Sequence, residues 1–170
     1  MGGRGATRRT IAALVLGWAA LPLFTTSSAV ADPTFLPPPL TIEGLQPVDF
    51  QNVWAGVNMS VSRSDPLRAG ILSIKGTGNS EVILTFQVPS MLQGPGGALM
   101  PIVFGPDDAG FATVNDPTQA NGFNPLGPYI DNLHGAKAFV FLGGTVLPLL
   151  GQTAGAYQAP VTMTVVYTGN

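Results

Sequence analysis

Apolar and polar residues alternate most regularly at the end of this chain. In GAYQAPVTMTVVYTGN, Val161, Met163, Val165 and Tyr167 fall on one side, and Thr162 and Thr164 on the other. Successive strand side chains point to opposite faces, so the pattern predicts a strand with one buried face. The same period recurs upstream. Val82, Leu84, Phe86 and Val88 share one side of a run that Pro89 ends, and Val57, Met59 and Val61 share one side of another. Residues 40–44 and 48–54 also alternate, which favours Trp54 in a core strand over the alternative, an exposed Trp that stacks on a sugar. The apolar run 71–74, the turn cluster Gly76-Thr-Gly-Asn-Ser80 and the run 82–88 together predict a β-hairpin over 71–88. Residues 98–104, 111–114 and 138–142 read as further strands. Gly143-Gly144 then marks a bend or bulge, and Pro148 marks 145–150 as an edge or irregular strand.

Between residues 116 and 135 the period stops. Three prolines, three glycines and three asparagines fall in this stretch, which predicts a long surface loop. No segment after residue 31 sustains a helical period with caps. Short strands punctuated by Gly and Pro predict an all-β fold: a single immunoglobulin-like, pilin-like antiparallel β-sandwich over 40–170. Tyr157 precedes the last strand in Gly155-Ala-Tyr. It reads either as a tyrosine corner, with its hydroxyl bonded back to nearby backbone, or as a core tyrosine after a tight turn.

The N-terminus changes the domain count. Arg4, Arg8 and Arg9 precede the uncharged run 11–24, and Ala29-Val30-Ala31 is a small-x-small cleavage pattern. The apolar run is short for a membrane-spanning helix, so residues 1–31 read as a signal peptide cut between Ala31 and Asp32. Residues 32–39 (DPTFLPPP) form a proline-rich leader that favours an extended polyproline conformation. No later apolar run is long enough for a spanning helix, and the mature chain is expected to be periplasmic, extracellular or on the cell surface.

Charge removes some functions. Only 9% of residues are charged, far below the usual quarter or so of a globular chain. After residue 31 the basic residues are Arg63, Arg68, Lys75 and Lys137, against all nine acidic ones. No basic patch can neutralise phosphates, so no nucleic-acid partner is expected. With no cysteine, the domain has no disulfide staple. Its low charge gives weak protection against self-association.

The stretches LTIEGLQPVDFQNVWAG, AGILSIKGTGNSEVILTFQVPS and FVFLGGTVLPLLGQTAGAYQAPVTMTVVYTGN resemble a bacterial exported domain-of-unknown-function family, number forty-four hundred and two. The likeness rests on Asp49-Phe50, Gly76, Pro89, Gly143-Gly144, Gly155, Tyr157 and the strand 161–167; Gln51 stands where that family commonly has glycine. The family is similar to fimbrial and spore-coat β-sandwiches. The resemblance thus implies an immunoglobulin-like sandwich at the cell surface, mostly through turn and core residues. Several fimbrial relatives are completed by an N-terminal strand of the next subunit, a device that the prolines of this leader oppose.

Candidate chemistry is sparse. His134, the only histidine, lies near Asp131, but no Gly-x-Ser-x-Gly or other nucleophile motif accompanies it. One His and no Cys make a poor zinc set. Asp107-Asp108, Asn115-Asp116 and Asp131-Asn132 carry oxygen ligands of the kind Ca²⁺ takes, yet their spacing fits no EF-hand. The glycines of 94–97 open no helix and so make no phosphate loop. No catalytic, cofactor or metal residue is assigned. The expected function is that of an exported, non-enzymatic structural protein, a fimbria-like or coat subunit that associates with itself or with other surface proteins. The alternative is a secreted carbohydrate- or ligand-binding module using the loop 116–135. Mass spectrometry of the protein exported by a bacterial host should find Asp32 at the N-terminus; an exported chain that retains Met1 would contradict the secretory reading.

Overall fold

Residues 137–146 run through the middle of two sheets. This is seen in a computed structural model that describes residues 38–169; the expected signal peptide, the Ala31/Asp32 boundary and leader residues 32–37 lie outside them. The strands are β1 (Thr41–Gln46), β2 (Met59–Val61), β3 (Gly70–Lys75), β4 (Glu81–Gln87), β5 (Met91–Gln93), β6 (Leu99–Val103), β7 (Ala109–Ala112), β8 (Asn121–Phe123), β9 (Tyr129–Asn132), β10 (Lys137–Leu142), β11 (Gly144–Val146) and β12 (Thr162–Tyr167). They form a five-stranded sheet β1-β3-β10-β7-β8, a four-stranded sheet β2-β11-β6-β5 and a three-stranded sheet β12-β4-β9. All pairings between these strands are antiparallel. The expected all-β class with antiparallel sheets is the one observed.

The continuous apolar sequence of β10 reflects burial on both faces. Ala138, Val140 and Leu142 enter the main core, while Phe139 and Phe141 pack with Ile71 and Ala112 on the other side. The strand then passes through Gly143 into β11 and changes sheet. A side chain at Gly143 would collide with the Val61 carbonyl and the Arg63 backbone, and the Gly143 N–H donates to the Asp108 carbonyl at 2.7 Å. The expected Gly-Gly bend is therefore the crossing point between two sheets.

The main core lies between the five- and three-stranded sheets. Ile74, Phe111, Val140 and Leu142 pack with Val82, Leu84, Phe86, Met163 and Val165. Each such side chain contributes roughly 1.5–3 kcal/mol on burial. A second core, Leu92, Met100, Ile102 and Val146, lines the four-stranded sheet and is capped by Phe50, Val53 and Tyr157. Arg63 fastens β2's exit to the far edge of the large sheet: it donates to the Asp107 and Ala120 carbonyls, both at 3.0 Å, and pairs with the Asp107 carboxylate at 3.3 Å.

The closing strand behaves as its alternation predicts. β12 pairs with β4 without a break from Thr162↔Gln87 to Tyr167↔Val82. Met163 and Val165 are buried, and Thr162 and Thr164 are exposed. The Tyr167 hydroxyl accepts from the Thr77 N–H at 2.7 Å and donates to the Pro38 carbonyl at 3.0 Å, tying the last strand to the start of the domain.

Three expectations fail. The 71–88 hairpin does not form: β3 pairs with β1 and β10, and β4 with β12 and β9. The turn cluster instead carries the chain from one sheet to the other, held by Gly76 N–H to Ala136 O and Asn79 N–H to Leu133 O. Residues 116–135 are not one loop, since they contain β8, β9 and a 3₁₀ turn at Pro117–Gln119. Residues 48–54 form no strand, and Trp54 is 74% exposed. Pro47 and the left-handed Gln51 (φ 54°) interrupt any ladder there.

Val165→Asp should abolish cooperative folding, a loss above about 4 kcal/mol, because its carboxylate would be buried without a partner. Thr164→Asp, on the wet face, should stay within about 0.5 kcal/mol of the wild type. Urea unfolding of the two variants checks both.

Candidate functional site

Two clefts open beside the second core and meet at Val48, Phe50, Leu92 and Tyr157. The first, of about 640 Å³, lies between the segment 48–55 and the segment 152–157. Its floor is Leu92 of β5, Met100 of β6 and Val146 of β11. The second, of about 540 Å³, is more apolar and lies between the end of β1 and the approach to β12, over Leu72, Phe104 and Leu142.

The near wall of the first cleft follows from local backbone chemistry. Pro47 ends β1, and the Asp49 N–H donates to the Arg68 carbonyl at 2.9 Å. The Gln51 N–H then donates to Asp49 Oδ1 at 2.8 Å, turning the chain back on its own carboxylate. Phe50 and Val53 drop toward the second core, while Gln51, Asn52 and Trp54 remain exposed. A β-turn closes at Val57 N–H to Trp54 O, 3.0 Å, and the Gly56 N–H anchors it to the Leu149 carbonyl at 3.1 Å.

Gln152 and Tyr157 build the far wall. Gln152 Nε2 donates to the Leu99 carbonyl at 3.1 Å and to the Tyr157 hydroxyl at 2.6 Å, and its Oε1 accepts from the Leu149 N–H. The Tyr157 hydroxyl donates to the Thr153 carbonyl at 2.7 Å. Both alternatives raised for Tyr157 have a counterpart here, since the hydroxyl bonds to nearby backbone and the ring packs against the second core. A bridge between Gln93 and Gln158 holds the base of the wall. Gly155 has φ 148° and sits against the Pro95 ring, where a side chain would not fit.

The other candidate residues are dispersed. Val165 lies in the main core. His134 is exposed at a 3₁₀ turn. Each acidic pair serves its own turn. Asp108 Oδ2 accepts from Gly105 N–H, and Asp107 pairs with Arg63. Asp116 accepts from Thr118 and Gln119, and these hydrogen bonds hold its carboxyl below the usual range. Asp131 accepts from the Tyr129 hydroxyl at 2.7 Å. Burial of Tyr129, which stacks on Phe123 at 4.1 Å, and that bond to Asp131 push its phenol well above the ordinary value. Among the described residues no group of three or more His, Asp or Glu side chains gathers to hold a metal ion. None of their helices is long and apolar enough to cross a membrane.

Searches of family models, curated proteins and solved structures found no match for this chain. The cleft walls were visible in the sequence only as turn residues. The exposure of Trp54 was hidden because an alternating segment of six or seven residues reads the same whether or not it joins a sheet.

Tyr157→Phe should cost on the order of 1–2 kcal/mol, since it removes the bond to Thr153 and leaves Gln152 Nε2 one partner short. Tyr157→Ala should cost about 3–5 kcal/mol through the lost packing. Chemical denaturation midpoints test the pair; equal midpoints for wild type and the Phe variant would leave the ring as the only contribution.

Proposed function

We propose that this chain is an exported, non-enzymatic structural protein that assembles at the cell surface as a fimbria-like or coat subunit. In this reading residues 1–31 are removed, residues 32–39 lead into the domain, and the sheets make an immunoglobulin-like sandwich. The observation that carries it is the side of the molecule where β1 and β12 end their sheets. Among the described residues no strand pairs with the outer edge of either. The apolar second cleft opens between them, with Leu72, Phe104 and Val161 only partly buried.

The β12 edge lacks the devices that usually blunt such an edge. Its sequence, TMTVVY, has no Lys, no Pro and no charge, and its register against β4 has no bulge. The outward side chains of β12 itself are neutral: Val166 aligns with Ile83 and Ile130 across the sheet, next to Thr164 and Thr85, while Glu81 of the same face sits at the end of β4 and accepts from the Thr168 hydroxyl. An acidic chain can meet its own copy here without like-charge contact.

Light scattering of the exported protein at rising concentration tests this. Higher-order species should appear with concentration and disappear in Val166→Lys, whose site is 49% exposed and whose melting should be unchanged. A monomer at every concentration, or assembly unaffected by Val166→Lys, would contradict assembly through this edge.

A further inference from the structure

The first cleft has features that edge-to-edge assembly does not use, and the geometry points to a binding site for a neutral oligosaccharide between Trp54 and Tyr157. The ligand class follows from the wall 49–54. Within six consecutive residues it presents a carboxylate, two primary amides and an indole N–H, all lining one cleft. Asp49 spends one carboxylate oxygen on the Gln51 N–H and keeps the other. Among the described residues the Gln51 and Asn52 side chains have no hydrogen-bond partner, in contrast to Gln152 across the cleft, whose amide is fully used in building the wall.

Sugar hydroxyls both donate and accept, so carboxylate and amide groups suit them equally. A pyranose also has an apolar C–H face. Trp54, 74% exposed at the lip, offers the flat apolar surface that such a face covers. No Lys, Arg or His lines the cleft and one Asp does, so phosphate, sulfate and carboxylate ligands would find no cation and would meet a like charge. The apolar floor of Leu92, Met100 and Val146 suits a methyl-bearing substituent such as an N-acetyl group.

Gln51 supplies an independent sign. Its φ of 54° is a conformation that glycine adopts without strain and a side chain does not. The chain retains a hydrogen-bonding side chain there, on the cleft wall.

Isothermal titration of the full chain with chitotriose and with cellotriose tests the site. One or both should bind at a single site, chitotriose more tightly by tenfold or more. Trp54→Ala and Asn52→Ala should each weaken binding at least tenfold while leaving the melting temperature unchanged. Gln51→Gly should keep or raise the melting temperature and still weaken binding. The inference is overturned if neither sugar binds at millimolar concentration, if binding survives Trp54→Ala, or if cellotriose is the tighter ligand. It is equally overturned if the peptide DPTFLPPPL, a proline-rich ligand for an aromatic groove, binds this cleft and the sugars do not. None of these outcomes depends on whether the chain assembles through β12.

Discussion

The structure depends on the absence of a side chain at Gly143. Residues 137–146 are central in two sheets at once: β10 lies between β3 and β7, and β11 lies between β2 and β6. The crossing leaves no room for a Cβ at Gly143, which would run into the Val61 carbonyl and the Arg63 backbone. Any larger residue would have to push β2 away from β11, or β11 out of line with β10. The continuous apolar sequence of β10 and the paired glycines after it are two parts of one requirement. The strand must be dry on both faces, and it must leave one sheet for another without a loop.

The clefts follow from that arrangement. Once β11 has carried the chain into the four-stranded sheet, Val146 becomes the floor of the first cleft. Residues 148–159 must then return to the main core to begin β12. That return is long and carries little ladder, so Gln152 and Tyr157 supply its internal hydrogen bonds. The segment 47–57 faces it and is likewise held by single bonds to Arg68 and Leu149 rather than by a sheet. Two irregular segments over an apolar floor leave a concave surface, whereas regular pairing of β12 with β4 leaves an unblunted strand edge whose own side chains carry no charge. The proposed assembly and the proposed sugar site use these two different products of one chain path.

How much of this was legible depended on whether the local pattern reported burial or only turn chemistry. β12 and β4 face the core on one side and water on the other, and their alternation said so. β10 is dry on both sides, and its unbroken apolar run said that. The hairpin over 71–88 misled because a turn between sheets uses the same Gly, Asn and Ser residues as a turn within one. The signal against it lay in β3, where Gly70, Ile71, Ser73 and Ile74 are all buried, as in a central strand with neighbours on both edges. β8 and β9 were missed because each is only three or four residues long and is flanked by Pro and Gly. Trp54 was misplaced for the converse reason: alternation without a partner strand buries nothing. Asp49 and Gln51 stood out in the sequence only through the Asp49-Phe50 resemblance and Asn52 gave no motif; only the backbone around Gln51 sets the three on one wall.

Native-state hydrogen exchange, followed amide by amide, tests most directly whether one strand unites the sheets. The account predicts that the amides of β10 and β11, with Gly143 between them, exchange only through global unfolding and share one opening free energy. Markedly faster exchange in β11 than in β10 would show that the four-stranded sheet opens on its own, and would contradict the claim that residues 137–146 bind the fold into a single cooperative unit.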